Sequence, residues 1–147
     1  MTEVTSARRQ DFMEILVIDG QGGNIGRQLV KGIIDRFSDV TVTAVGTNSA
    51  ATQNMLKAGA SRGATGENAV KVCAREADVI IGPIGIAVPD SMLGEVTPEM
   101  ATAVGQANVK RILIPINNCN NYVVGVGDTS IQRLVNEALD LLETLVD

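Results

Sequence analysis

Apolar and polar residues fall into blocks along this chain, and the blocks switch between the periods of strand and helix. Residues 15–18 form a four-residue apolar run closed by Asp19-Gly20, the pattern of a strand buried on both faces of a parallel sheet. Ile25, Leu29, Val30, Ile33, Ile34 and Phe37 then recur at helical spacing, with Asn24 placed to cap the helix they predict. Residues 40–45 read as a β-branched second strand, Gly46-Thr47-Asn48 breaks it, and residues 50–58 return to good helix formers until Gly59 stops them. Residues 61–65 read as a short edge strand, 67–76 as a helix and 78–81 as a buried strand. Thr97 and Pro98 form a cap and a first position for a helix reaching Gln106. Residues 111–116 predict a further strand, 117–121 a polar turn and 122–126 a last strand. Ile131, Leu134, Val135, Ala138, Leu139, Leu142, Leu145 and Val146 give the closing helix a wide apolar face.

Strands alternating with helices throughout predict an α/β fold, a three-layer Rossmann-like sandwich with a mainly parallel sheet. The pattern places a single domain over residues 13–147, and residues 1–12, which lack apolar periodicity, before it as a mobile arm. At 147 residues, 45% hydrophobic and 20% charged, the chain suits one packed core.

Charge and composition narrow the function. With 12 basic against 17 acidic residues, and no basic cluster beyond Arg8-Arg9, no nucleic-acid footprint is visible. Phe12, Phe37 and Tyr122 are the aromatic residues, too few for a base-stacking platform. The apolar runs fall far short of the roughly 20 residues of a membrane helix, and the N-terminus lacks a signal-peptide core, so a cytoplasmic protein without a membrane partner is expected. Histidine is absent, which removes the commonest general base and metal ligand. Cys73 and Cys119 have no metal-type spacing, and a reducing cytoplasm would keep them as thiols; no metal site is expected.

In doubly wound sheets ligands bind beyond the carboxyl ends of the strands, where helix N-termini bring free N–H groups together. Gly20-Gln21-Gly22-Gly23-Asn24-Ile25-Gly26 opens the first helix there as a phosphate-binding turn does. The strict G-x-G-x-x-G pattern would need glycine at Ile25, and the short-chain dehydrogenase variant would need it at Asn24. The second strand ends on neutral Thr47 and Asn48 rather than an acid for a ribose hydroxyl, and a carboxylate at Asp19 would repel a pyrophosphate. The same features suit a purely structural loop, with Asp19 accepting backbone N–H groups and the glycines allowing close helix packing.

Gly82, Pro83, Ile84 and Gly85 follow the central strand and either carry a flat ligand or make a rigid apolar turn, and Asp90-Ser91 reads as a helix cap. Asn117 and Cys119 lie in the polar loop; Cys119 is a nucleophile candidate without a histidine to activate it, which favours an inert thiol, and Cys73 reads as packing. A P-loop is excluded because Arg27-Gln28 follows Gly26. The clustered acids of a phosphate-accepting receiver domain are missing around Asp19.

The segments Val17-Ile18-Asp19-Gly20-Gln21-Gly22-Gly23, Gly46-Thr47-Asn48, Met55-Leu56-Lys57-Ala58-Gly59-Ala60, Gly63-Ala64-Thr65-Gly66-Glu67-Asn68 and Ile81-Gly82-Pro83-Ile84-Gly85-Ile86 together resemble an uncharacterised bacterial family, catalogued as domain of unknown function 3842. The similarity continues through Asp90-Ser91-Met92-Leu93-Gly94-Glu95 and Ile114-Pro115-Ile116-Asn117 to Tyr122-Val123-Val124-Gly125-Val126. The resemblance implies a Rossmann-like fold and no particular activity, and Asn24 stands where the family's loop has glycine. It also draws Thr65, Glu67 and Asn68 into the candidate site, although Thr65 would equally serve as a helix cap.

The leading expectation is a small-molecule-binding module that holds a nucleotide or related anionic metabolite at these loops, with NAD(P) as one candidate cofactor. A small NAD(P)-dependent or lyase-like enzyme using Asp19 as base or Cys119 as nucleophile is the first alternative, although Tyr122 lacks the Tyr-x-x-x-Lys partner of short-chain dehydrogenases. A regulatory or assembly subunit is the second, because the apolar face of the last helix would suit a homodimer.

Overall fold

The computed structural model describes residues 12–116 and 121–146. The expected arm therefore lies outside the described residues except for Phe12, and so do Asn117 and Cys119.

Five strands form one sheet in the order β3-β2-β1-β4-β5, where β1 is Met13–Asp19, β2 Val40–Gly46, β3 Arg62–Thr65, β4 Val79–Pro83 and β5 Lys110–Ile114. Every pairing is parallel, with Ile15–Val17 against Val42–Ala44 on one side and Val79–Ile81 on the other. The apolar run at β1 follows from this position: Ile15 and Val17 enter one core, Leu16 and Ile18 the other, and all four are buried. Burying one such side chain contributes roughly 1.5–3 kcal/mol.

Helices cover both faces. α1 (Asn24–Arg36), α2 (Ser49–Lys57) and α5 (Ile131–Leu145) supply Leu29, Ile33, Met55, Leu139 and Leu142 to the first core. α3 (Glu67–Glu76) and α4 (Pro98–Gln106) supply Val70, Ala74, Met100 and Val104 to the second. This is the three-layer Rossmann-like sandwich expected. The apolar face of α5 is spent within the chain, because Val135, Ala138, Leu139 and Leu142 are buried beside α1 and the sheet, while Leu141 stays 58% exposed.

Local signals explain several boundaries. Thr97 caps α4 by accepting the Met100 amide, with Pro98 at its start, and Asn48 and Ser130 cap α2 and α5 in the same way. Three expectations need correction. Asn24 does not cap α1: Gly23 holds the cap position at φ 73°, and Asn24 is the first helical residue. Residues 122–126 form no strand; Tyr122 and Val124 are almost wholly exposed and Gly125 has φ 94°. Asp90-Ser91 caps no helix, since it belongs to a run of turns between residues 88 and 96.

Candidate functional site

β1 is the central strand of the sheet, and the chain winds away from it to β2 and β3 on one side and to β4 and β5 on the other. That reversal leaves a crevice beyond the carboxyl ends of β1 and β4. A cleft of about 900 Å³ lies there, a volume suited to a small-molecule ligand. Among the described residues its lining runs from Asp19 to Ile25, from Pro83 to Gly85 and from Val88 to Leu93, and includes Ile116, Asn121, Tyr122, Val123 and Ile131. A second groove, about 720 Å³, lies between α3 and α4 and is lined by Lys71 and Arg75, away from the strand ends.

Of the candidate residues, the structure gathers Asp19, Gly20, Gln21, Gly22, Gly23, Asn24, Ile25, Pro83, Ile84 and Gly85 around this cleft. It places Thr47 and Asn48 beside it, outside the lining. Thr65 bonds Thr52 at 2.7 Å between hydroxyls, Glu67 accepts from the Thr97 hydroxyl at 2.6 Å, and Asn68 is exposed on α3; these three lie apart from the cleft. Gly82 sits within β4, where an added Cβ would lie 2.3 Å from the Ile18 carbonyl oxygen, so its missing side chain is a packing requirement between strands. Gly66 rather than Thr65 holds the cap position of α3, without a side-chain bond.

Asp19, at the base of the cleft, is bonded into the start of α1. Its Oδ2 accepts the Gly26 amide and its Oδ1 the Gly20 amide, each at 2.7 Å, and the residue is 4% exposed. The carboxyl thus fills the helix end that Asn24 leaves uncapped, from a position earlier in the chain. Burial pushes it above the ordinary 3.8, against the pull of the Gly26, Gly20 and Ile25 amides, and the neighbouring Glu95 charge adds to the rise. The Gly22 and Asn24 amides, in contrast, have no partner among the described residues. An acceptor group entering the cleft at the α1 N-terminus would meet these two donors.

Glu95 is the residue the sequence did not reveal. Its Oε1 accepts from the Gln21 amide at 2.7 Å, the Thr47 hydroxyl at 2.7 Å and the Asn48 side-chain amide at 3.0 Å. The Thr47 hydroxyl, then the Gln21 amide and, more weakly, Asn48 hold its carboxyl below the ordinary 4.5, with burial opposing. An acid therefore does reach the end of β2, but it arrives from the loop after β4, 48 positions from Thr47, where no local motif marks it. Thr47 and Asn48 are engaged by this acid, so the groups best placed to hold a ribose at β2 are already bonded. Met92 and Glu95 crowd Gly20 from above: a Cβ there would lie 2.6 Å from Met92 Sδ and 3.0 Å from Glu95 Oε1.

Cys73 is partly buried against the second core, and burial pushes its thiol above the ordinary 9.0, which suits packing rather than nucleophilic attack. Among the described residues no group of three or more His, Cys, Asp or Glu could hold a metal ion, and no helix is long and apolar enough to cross a membrane.

The parallel 3-2-1-4-5 sheet, with a glycine loop and a cleft at its reversal point, defines a Rossmann-like α/β protein. A family model described as "Domain of unknown function (DUF3842)" matches residues 14–147, and the chain belongs to that family. No curated protein matches it. Among solved structures it is similar to a dodecameric FMN-dependent Ubix-like decarboxylase from Escherichia coli O157:H7, at 15% identity and a TM-score of 0.47, over 88% of this chain and 76% of that one.

Proposed function

We propose that this protein is a small-molecule-binding module whose cleft takes a phosphate monoester of nucleotide size. The carrying observation is the pair of unengaged amides at Gly22 and Asn24, both cleft residues at the start of α1. Two backbone N–H groups and the helix dipole suit one phosphate group. Among the described residues the lining contains Asp19 and Asp90 and no Lys or Arg, so a longer polyphosphate would find no cation there to neutralise it. Beyond the amides, Pro83, Ile84 and Val88 offer an apolar wall for a flat ring, with Leu93 and Tyr122 exposed at the rim.

Gly22 makes this reading testable. It has nothing within 4 Å of an added Cβ and no positive φ, so the fold does not require glycine at that place. Gly22→Ala should leave stability within about 1 kcal/mol of wild type. Its methyl group would obstruct the approach to the Gly22 and Asn24 amides and weaken binding at least about tenfold, or about 1.4 kcal/mol. AMP and FMN serve as probes in isothermal titration, alongside native mass spectrometry of the freshly purified protein for a retained ligand. Wild-type protein that binds neither probe and carries no ligand, or a G22A variant that binds as wild type does, overturns the proposal.

A further inference from the structure

Resting on the reading above and extending it, we propose that Glu95 sets the length of ligand this site accepts: it latches residues 88–96 across the β2 end of the crevice, leaving room for a mononucleotide and closing the path of a dinucleotide. A dinucleotide on a doubly wound sheet spreads from the end of β2, across the glycine loop, to the far side of the crevice. Here the middle of that path is covered. The segment after β4 passes over Gly20, with Met92 packed on it, and ends with Glu95 bonded to Thr47 and Asn48 at the end of β2.

The amides of the loop tell the same story in order. The Gly20 amide donates to Asp19 Oδ1 and the Gln21 amide to Glu95 Oε1, so the Gly22 amide is the first one open to a ligand. A first phosphate seated at Gly22 and Asn24 leaves a second, extended towards β2, facing the Glu95 carboxylate, which already holds the Gln21, Thr47 and Asn48 donors. Like charge at that distance disfavours the second group.

The latched segment is held in a conformation it would not adopt unaided. Asp90, Met92 and Leu93 have φ of 66°, 59° and 58°, in the left-handed region that non-glycine residues rarely enter. Such backbone persists only where its surroundings determine it. The bonds Asp90 N to Val96 O at 2.7 Å and Val96 N to Ser91 O at 3.1 Å close the segment on itself, and Glu95 ties it to the two loops opposite. Glu95 Oε1 is the shared acceptor of three donors, so loss of this one group frees the strap, the Gln21 turn and the β2 end together.

The test combines hydrogen–deuterium exchange without nucleotide and isothermal titration with AMP and NAD+, on wild type, Glu95→Ala, Glu95→Gln and Thr47→Val. E95A should speed exchange of residues 88–96 and of the Gln21 and Gly23 amides by at least about tenfold, the loss of about 1.4 kcal/mol of protection, with β1 and β4 unchanged. E95Q keeps an oxygen for the same three donors and should stay closest to wild type, with T47V between them. Wild type should bind AMP at least about tenfold more tightly than NAD+, and E95A should remove most of that difference. Unchanged exchange in both E95A and T47V overturns the latch. Equal wild-type affinity for the two probes, or an undiminished difference in E95A, overturns its role in selection. Wild type that binds neither probe overturns the selection, while the FMN titration and the retained-ligand measurement decide the mononucleotide reading and the exchange result decides the latch.

Discussion

Gly82 and Gly85 both stood as ligand-binding candidates, and the structure predicts opposite outcomes when each is replaced by alanine. At Gly82 the new Cβ would lie 2.3 Å from the Ile18 carbonyl oxygen, 3.1 Å from Ile86 Cδ1 and 3.4 Å from the Ile18 carbonyl carbon. A carbon and a carbonyl oxygen in contact sit at about 3.3–3.6 Å, so β1 and β4 must separate by roughly 1 Å at this point. Backbone cannot rotate aside as a side-chain end can. Overpacking of this kind costs about 1–3 kcal/mol, and stretching two neighbouring ladder bonds adds about 1 kcal/mol each, which gives about 3–5 kcal/mol for Gly82→Ala. At about 3 °C per kcal/mol for a chain of this size, the melting temperature should fall by roughly 10–15 °C. At Gly85 the nearest atoms to an added Cβ are Ser91 Cβ at 3.4 Å and Met92 Cε at 3.6 Å, an ordinary contact. Gly85→Ala should stay within about 1 kcal/mol of wild type in urea unfolding followed by circular dichroism. Its methyl group would, however, enter the cleft wall and weaken AMP binding. A G82A variant as stable as G85A would refute the steric argument and return Gly82 to the ligand site.

Asp19→Asn should destabilise by about 2 kcal/mol in urea titration at pH 7, because the amide NH2 must face one of the two buried N–H donors the carboxyl now satisfies. Since the folded carboxyl is raised above 3.8, its contribution is complete below that pH and partly lost as pH rises through the folded value; the gap between wild type and D19N should narrow from acid towards neutral pH, and widening would contradict the dominance of burial. Glu95 has the opposite sign: with its folded value below 4.5, its stabilisation is present above pH 4.5 and is lost as pH falls through the folded value, so wild type and E95A should converge in melting temperature under acid. Leu142→Ala, at a fully buried position of α5, should cost about 3 kcal/mol and show a single cooperative urea transition.

The sandwich was legible because its signals are local. Four consecutive apolar residues at 15–18 can satisfy two cores only in a strand covered on both faces, and Thr97-Pro98 carries its cap and first turn in adjacent residues. Where a residue's partner is distant, the same reasoning failed. Val123, Val124 and Val126 have the composition of a strand, yet strand propensity expresses packing against neighbours, and Val124 is 98% exposed. Asn24 has the right chemistry for a cap, but Asp19 reaches the helix end first across the loop. Glu95 follows Gly94 in a segment that carries no local motif, and its importance lies in three donors supplied by two other loops.

The glycine loop shows why a motif of this kind overstates its own evidence. Read as one signal, its four glycines argue for a ligand. The structure separates them. Gly20 leaves room for Met92, Thr47 and Glu95; Gly23 takes φ 73° and lies 2.8 Å, by its would-be Cβ, from the Ala51 backbone; Gly26 lies 2.5 Å from Met55 Sδ in the same measure. Gly23 is required by its backbone, and Gly20 and Gly26 are crowded by neighbouring side chains, whether or not anything binds. Gly22 alone of the four has open space and ordinary backbone, and its amide has no partner among the described residues. The case for a ligand therefore rests on one glycine and two amides, and that is why alanine at Gly22, which the fold should tolerate, discriminates between a binding loop and a packing loop where replacement of the other three cannot.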